Sequence, residues 1–158
     1  MSILDAIDVK ILGLLQENAR RAASEIGAMV GMSVSAVIER IRKLESSGII
    51  EQYTTILSNE RLNRGLIGFV HVCLESQQHM NEFVETVVKL PEVLEVHFLA
   101  GDFDYLVKVI TASTSTLDTL LRRIKSIQGV SRTYTAIVLA TQKNEHSIRA
   151  DLNEGDLI

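Results

Sequence analysis

The sequence contains little that would cross-link, anchor or secrete the chain. Cysteine and proline each occur once among its 158 residues. With Cys73 alone, no disulfide can form within the chain and no cluster of thiolates can hold a metal. No apolar run is long enough to span a bilayer, and the first eight residues carry two acids and no base, unlike a signal peptide. We therefore expect a reducing, cytoplasmic location and no membrane contact.

The motifs of common enzyme classes are also missing. The sequence has no P-loop, GxGxxG, HExxH or Ser-His-Asp order. The four histidines are scattered, and His71 and His97 fall in apolar segments where a structural role is commoner than a ligand role. Cys73 also lies in an apolar alternating run and is expected in the core. We expect no cofactor and no metal, and an enzyme is the minor alternative.

The net charge of −4 argues against an electrostatic DNA clamp, but the charge is unevenly divided. Residues 1–64 carry eight basic and eight acidic side chains, and the remaining eight basic and twelve acidic ones follow. The basic residues of the neutral first part cluster locally. A DNA-binding unit of this kind would need more than one copy for high affinity.

The stretch from residue 25 to 50 predicts two helices joined by a tight turn. The first spans Glu25–Val30, Gly31 permits a positive φ at its end, and Ser33 is a good N-cap for a second helix over 34–47. These are the parts of a helix-turn-helix, whose second helix enters the major groove. The same pattern also fits an ordinary helical hairpin with a solvated charged face.

Candidate DNA-contacting residues share the start or the outer face of this second helix. Ser35 and Ala36 are small enough for close approach to bases, whereas Glu39 would repel phosphate but can accept from cytosine. Basic side chains reach phosphate or guanine. The candidates are Ser33, Ser35, Ala36, Glu39, Arg40, Arg42 and Lys43. The residues predicted to face the core are Val34, Val37, Ile38, Ile41 and Leu44.

An opening helix completes a three-helix unit. Asp5 is its expected N-cap, Asp8 lies in its first turn, and Asn18 is near its end. After the second motif helix, residues 49–57 are predicted to form a strand that leads out of the unit. The polar segment 58–65 is predicted to be a hinge.

The second half predicts the order β-α-β-β-α-β, the split ferredoxin-like pattern. The fold class is therefore α+β: an N-terminal three-helix helix-turn-helix domain over residues 1–60, a C-terminal ferredoxin-like domain over 61–142, and a tail over 143–158. Apolar residues occur on both sides of the strands, which implies dimerisation of sheet against sheet. The predicted strands are 66–74, 93–99, 105–110 and 130–140, and the predicted helices are 78–90 and 113–127.

The order and spacing of several short motifs resemble the Lrp/AsnC (feast/famine) family of transcription regulators over about residues 3–142. The family usually has Ala at the position of Gly27, where Gly costs about 1 kcal/mol of helix propensity. The acidic tail 145–158 has no family role, and we expect it to be disordered or packed on a neighbour. The matching motifs are Leu4-Asp5-x-x-Asp8 with Lys10-Ile11-Leu12, Val30-Gly31-Met32-Ser33, Arg40-Ile41-x-x-Leu44-Glu45-x-x-Gly48-Ile49-Ile50, Gly101-Asp102-Phe103-Asp104-Tyr105-Leu106 and Thr133-Tyr134-Thr135.

The resemblance implies a homodimer that assembles into tetramers or octamers and binds double-stranded DNA through paired helix-turn-helix units. It also implies an amino-acid effector bound between subunits near a hairpin turn. A positive φ at Gly101 would open N–H groups to a carboxylate, and Asp102 or Asp104 could hold an ammonium. A well-made hairpin turn is the alternative. The matching positions are Phe98, Ala100, Gly101, Asp102, Phe103 and Asp104.

Two other functions remain open from sequence. Some proteins similar to this family in fold decarboxylate haem precursors and hold the tetrapyrrole with histidines, which here would be drawn from His71, His79, His97 and His146. The other is an architectural protein that coats DNA with little sequence choice. The weak positive charge argues against the latter.

Overall fold

The computed structural model describes residues 4–150, which divide into two compact units. One unit contains the chain up to Thr55 together with the stretch that begins at Asn144, and the other is Ile56–Lys143. Within the described residues, no helix is long and apolar enough to cross a membrane.

Three helices build the first unit: α1 (Ala6–Glu17), α2 (Ala23–Val30) and α3 (Val34–Ser46). The Asp5 carboxylate caps α1 by accepting the Asp8 N–H at 2.8 Å, and the Asp8 carboxylate accepts the Asp5 N–H at 3.2 Å. The predicted cap at Asp5 and the helix end at Asn18 are confirmed. The core of this unit consists of Ile11, Leu12, Ile26, Val37 and Leu44.

The turn between α2 and α3 depends on two glycines. Gly31 has a φ of 71°, which confirms the predicted left-handed end of α2. Met32 then folds back, and its N–H donates to the Gly27 carbonyl at 2.9 Å. A Cβ at Gly27 would lie only 2.6 Å from the Met32 carbonyl oxygen. The turn backbone therefore occupies the space that a side chain at Gly27 would need.

The predicted strand over 49–57 is wrong for this chain. Ile49 and Ile50 donate their N–H groups to the Leu44 carbonyl at 3.0 and 3.1 Å, and residues 51–57 follow without regular structure. A strand exists only where a neighbouring strand satisfies its backbone groups. Among residues 4–150 no strand lies beside this exit segment, by which we mean residues 49–57.

The second unit is an antiparallel sheet with helices on one face, and the predicted ferredoxin-like α+β fold is confirmed. The sheet order is β2-β3-β1-β4. Phe83, Leu120 and Ile124 from the helices pack on Val70 and Val107 of the central strands. The elements are β1 (Leu66–Leu74), a 3₁₀ turn (Gln77–His79), α4 (Met80–Val87), β2 (Val93–Phe98), β3 (Tyr105–Thr111), α5 (Thr114–Lys125) and β4 (Val130–Ile137).

Three segments differ from the sequence-based expectation. Helix α4 is shorter than the predicted 78–90 and leaves Val88 exposed. The predicted hinge 58–65 contains a closed turn in which the Arg64 N–H donates to the Asn59 carbonyl at 2.8 Å. The tail was expected to be disordered or packed on a neighbour, but its residues up to 150 belong to the first unit of the same chain. Residues 151–158 lie outside the described residues.

We predict that Gly27→Ala destabilises the first unit although Ala is the better helix former. Overpacking against the turn carbonyl costs about 1 to 3 kcal/mol, which exceeds a propensity gain of about 1 kcal/mol. Gly13→Ala in α1 is the matched control, because a Cβ there would meet nothing within 4 Å. That control should gain about 0.5 to 1 kcal/mol in the free energy of unfolding, measured with urea. Equal gains from both variants would contradict the close contact.

Candidate nucleic-acid interface and ligand-binding turn

Helix α3 begins with a serine cap that shapes its exposed first turn. The Ser33 hydroxyl accepts the Ala36 N–H at 3.3 Å and lies 3.1 Å from the Ser35 hydroxyl. Ser33 and Ser35 are exposed and Ala36 is half-buried. The first turn therefore presents small side chains to solvent, where a groove floor could approach.

Two apolar residues of α3 face solvent, contrary to the prediction that they face the core. Val34 is 45% exposed and Ile38 is 38% exposed. The small three-helix core is filled by Val37 and Leu44, and positions 34 and 38 fall at the edge of that stripe because the helical period is 3.6. Their exposure to solvent near Ser35 was not predicted from the sequence. Apolar side chains there suit the methyl group of thymine.

The charged outer face of α3 is available for contacts. Glu39, Arg42 and Lys43 are exposed. None of the three joins an ion pair within the part of the chain that the structure describes. Two cations one residue apart on an exposed helix suit phosphate, while Glu39 opposes it.

Arg40 has a different environment from Arg42 and Lys43. Its Nη1 donates to a carboxylate oxygen of Asp5 and to one of Asp8, both at 2.7 Å. These two acids are the capping pair of α1, so the guanidinium joins the start of α1 to the middle of α3. DNA contact by Arg40 stays a prediction, and the geometry favours a positioning role.

The hydrogen bonds around Asp5 and Arg40 shift the pKa values of these two groups. Hydrogen bonds from the Asp8 N–H and then from Arg40 lower the pKa of Asp5, and the hydrogen bond to Asp8 followed by that to Asp5 raises the pKa of Arg40. The carboxylate form of Asp5 is therefore the form that the fold favours.

The candidate ligand site is the turn between β2 and β3. The Leu99 N–H donates to the Asp104 carbonyl at 2.8 Å, which closes the turn, and Ala100, Gly101 and Asp102 are exposed at its tip. Phe98 precedes the turn and is 65% exposed. All six predicted positions, Phe103 included, thus lie in or directly beside one short turn.

Two details of this turn differ from the expectation. Gly101 does not adopt a positive φ, and a Cβ there would meet nothing within 4 Å. The Asp104 carboxylate accepts the Leu74 N–H at 2.7 Å, and the Asp104 N–H donates to the Val72 carbonyl at 2.9 Å. Asp104 therefore fastens the turn to β1, while the carboxylate of Asp102 is the more open of the two.

Phe103 brings the turn onto the sheet face that the helices leave uncovered. Its ring lies 4.9 Å from the ring of His71 and 6.5 Å from that of Tyr134, and the Arg132 guanidinium lies 5.1 Å from its centroid. We call His71, Phe103, Arg132 and Tyr134 the outer-face cluster. The sequence did not reveal it, although Tyr134 stood in a matching motif, because its members are distant along the chain.

The histidines do not converge on a binding site. His97 lies on β2, where its Nε2 is 3.1 Å from a carboxylate oxygen of Glu95, and His71 packs among the rings of the outer-face cluster. Lys108 donates to the same Glu95 carboxylate at 2.6 Å and is the main reason that its pKa is lowered. Among residues 4–150 no three His, Cys, Asp or Glu side chains group as a metal site.

A helix-turn-helix unit and a ferredoxin-like unit in one chain define a class of DNA-binding regulator with a separate ligand-binding domain. A model of the AsnC-type helix-turn-helix domain matches residues 4–45, and a model of the Lrp/AsnC ligand binding domain matches residues 67–148. The chain belongs to the Lrp/AsnC family of transcriptional regulators. It is therefore a regulator and not an enzyme, and the haem-precursor alternative finds no support.

Named relatives and a solved structure cover nearly the whole chain. The HTH-type transcriptional regulator FL11 of Pyrococcus horikoshii is 38% identical over 89% of this chain and 92% of its own length. The glutamate uptake regulatory protein of Zymomonas mobilis is 36% identical over 96% and 92%. A transcriptional regulator of Neisseria meningitidis, solved with L-methionine, superposes with a TM-score of 0.89 at 34% identity, over 96% of this chain and 99% of that one.

We predict that Arg40→Ala lowers the midpoint of thermal unfolding but leaves the salt dependence of DNA binding unchanged. The variant loses the joint between α1 and α3 and no phosphate contact. Arg42→Ala is the matched control and should instead reduce the slope of log affinity against log salt by about 1. A reduced slope in Arg40→Ala would show direct phosphate contact.

The same pair gives a pH signature. The pKa of Asp5 in the folded protein is lower than its ordinary value of 3.8. The ionised Asp5 carboxylate therefore stabilises the fold fully above that pH, and this contribution to stability is lost as the pH falls through the folded pKa. Arg40→Ala should weaken this acid-side loss of stability. If the loss of stability at acid pH, measured by circular dichroism, is the same in Arg40→Ala as in the unaltered chain, the role of the ion pair is contradicted.

Proposed function

We propose that the chain binds double-stranded DNA by placing α3 in the major groove. The observation that carries this is the exposed outer face of α3, which combines small residues at its start with the exposed cations Arg42 and Lys43. Ser35, Ala36 and Ile38 would meet base edges, and the two cations would meet phosphates. The regulator's compartment is then the cytoplasm, where DNA is accessible and thiols stay reduced.

We propose further that the working form is a homodimer joined through the uncovered sheet face. Phe69, Leu106 and Tyr134 lie on that face, and Tyr134 is 59% exposed. The ring atom Nδ1 of His71 is buried there without a hydrogen-bond partner among the described residues. The exit segment supports pairing too, since no strand of residues 4–150 lies beside its backbone from 51 to 57. Assembly into a tetramer or octamer stays a prediction of the family resemblance.

The proposed effector is an amino acid bound beside the turn at 98–104. The exposed backbone at Gly101 offers N–H donors to a carboxylate, and Asp102 offers an acceptor to an ammonium. Phe98 and Phe103 supply apolar surface for a side chain. The related Neisseria meningitidis regulator was solved as a complex with L-methionine, which supports an amino acid of apolar type.

Arg42→Ala combined with Lys43→Ala should weaken binding to all DNA sequences and flatten its salt dependence, because phosphate contacts release counterions. Ser35 and Ala36 substitutions should change sequence preference while the slope stays the same. Electrophoretic titrations at several salt concentrations measure both. Full-strength DNA binding by the double variant would contradict the placement of α3 in the major groove.

Gly101→Val should abolish the heat of amino-acid binding in calorimetry while the fold and DNA binding persist. A branched side chain covers the N–H donors, and the space and φ at Gly101 accommodate it without strain. Asp102→Asn should weaken binding by removing the charge at constant shape.

Glu85→Gln is the matched control, because this exposed carboxylate lies on α4, away from the turn. L-Methionine is tested first and the other amino acids follow. Undiminished binding by Gly101→Val would place the effector elsewhere, and no binding of any amino acid at millimolar concentration would overturn the effector proposal.

A further inference from the structure

Residues 147–150 of the tail are held by one side chain of α1. The Gln16 amide nitrogen donates to the Ile148 carbonyl at 2.5 Å and to the Ser147 hydroxyl at 3.2 Å. Its amide oxygen accepts the Ala150 N–H at 3.3 Å. The methyl group of Ala150 packs against the core of the helical unit. A stretch more than 130 residues away in sequence is thus bound to the first helix.

The chemistry of this contact selects extended backbone. A primary amide carries donors and an acceptor side by side, so it can satisfy a carbonyl and an N–H two residues apart, as a neighbouring strand does. The two backbone groups belong to Ile148 and Ala150, and the side chain of Ile148 is left 89% exposed. Two of the three hydrogen bonds from Gln16 therefore recognise main chain, and the third recognises the Ser147 hydroxyl.

The surroundings form a groove on the helical unit. One wall is the apolar face of α1 with Leu12 and Leu15, another is the exit segment from Ile49 to Thr54, and the third is the tail at His146–Ile148. The groove is open to solvent and has a volume of about 610 Å³. The tail contact is therefore part of a shaped groove.

We propose that the chain's own residues 146–150, docked on α1 as one wall of this groove, act as a strap on the DNA-binding unit. The ligand-binding unit spans Ile56–Lys143, so the strap attaches the helical unit to it at both of its ends. The exit segment is one connection and the strap is the second. The exit segment also lines the groove. Docking of the strap therefore affects the segment through which the effect of a bound ligand would be transmitted to α3.

Amide exchange followed by NMR on the full chain tests the docking without reference to function. The Ala150 N–H should exchange about tenfold faster in Gln16→Ala, and faster to a smaller extent in Gln16→Glu, whose carboxylate still accepts this N–H but cannot donate to the Ile148 carbonyl. Lys10→Ala on the exposed side of α1 is the matched control and should leave the rate unchanged. Equal exchange in all four proteins would overturn the strap. Protection that rises with protein concentration would assign the docked tail to a second copy and overturn the same-chain form.

The coupling role rests on the proposed function and has its own readout. The change in DNA affinity caused by L-methionine should shrink at least twofold in Gln16→Ala and in a chain that ends at Lys143, with DNA binding in the absence of amino acid retained. An undiminished response in Gln16→Ala would overturn coupling through the strap. A missing response in the unaltered chain would instead count against the effector proposal, while amide exchange still decides the docking.

Discussion

The sheet of the ligand-binding unit has two faces, and the helices of this chain cover only one. Phe83 and Leu120 close the inner face over the central valines, but the outer face carries no helix among the described residues and leaves Tyr134 59% exposed, with Phe69 half-buried beside it. Leaving such surface in water costs about 25 cal/mol for each Å² that a partner could bury. This uncovered surface supports the proposed homodimer independently of DNA binding, and pairing of the helix-turn-helix units would follow from that dimer.

The helical unit divides its cations between two tasks. Arg40 is bound by two carboxylates at 2.7 Å and holds α1 against α3, whereas Arg42 and Lys43 point outward from the same helix. A guanidinium satisfied by two acids has little to gain from a phosphate, since it would have to give up charge-assisted bonds of similar strength. One unit thus offers few free charges to DNA, which agrees with its neutral composition and favours binding through two units.

The elements with strong periodicity were predictable from the sequence, as were the caps at Asp5 and Ser33 and the glycine turn at Gly31. These depend on local chemistry within a few residues. The exit segment was not predictable, because a strand needs a partner that one chain does not supply. Val34 and Ile38 were misplaced because apolar spacing identifies a stripe but not how wide a stripe a small core can bury. The close contact that a side chain at Gly27 would make depends on a carbonyl five residues later, so it could not be predicted from the spacing of residues in the sequence.

The candidate ligand site was predicted as a set of residues but not as a geometry. From the sequence, Asp102 and Asp104 were equally good candidates to bind the ammonium group of a ligand. Their contacts distinguish them, because the Asp104 carboxylate accepts the Leu74 N–H and Asp102 is exposed. The outer-face cluster could not be predicted for the same reason as other tertiary features, since it joins β1, the turn and β4, which lie far apart in the sequence.

These fastenings constrain how a ligand at the turn can act. The Asp104 carboxylate and N–H bind β1 directly, and the Asp102 carbonyl accepts from the Cys73 thiol at 3.4 Å, so the turn is tied to the sheet at two points. A ligand changes an equilibrium only through different affinity for its two states, and a turn held in this way offers few alternative states of its own. The states that can differ are those of the outer face, paired or unpaired, because Phe103 carries the turn onto that face beside His71. In the proposed homodimer, an amino acid at this turn would therefore act on the contact between copies of the chain, and a change in that contact is the route by which it would alter DNA binding.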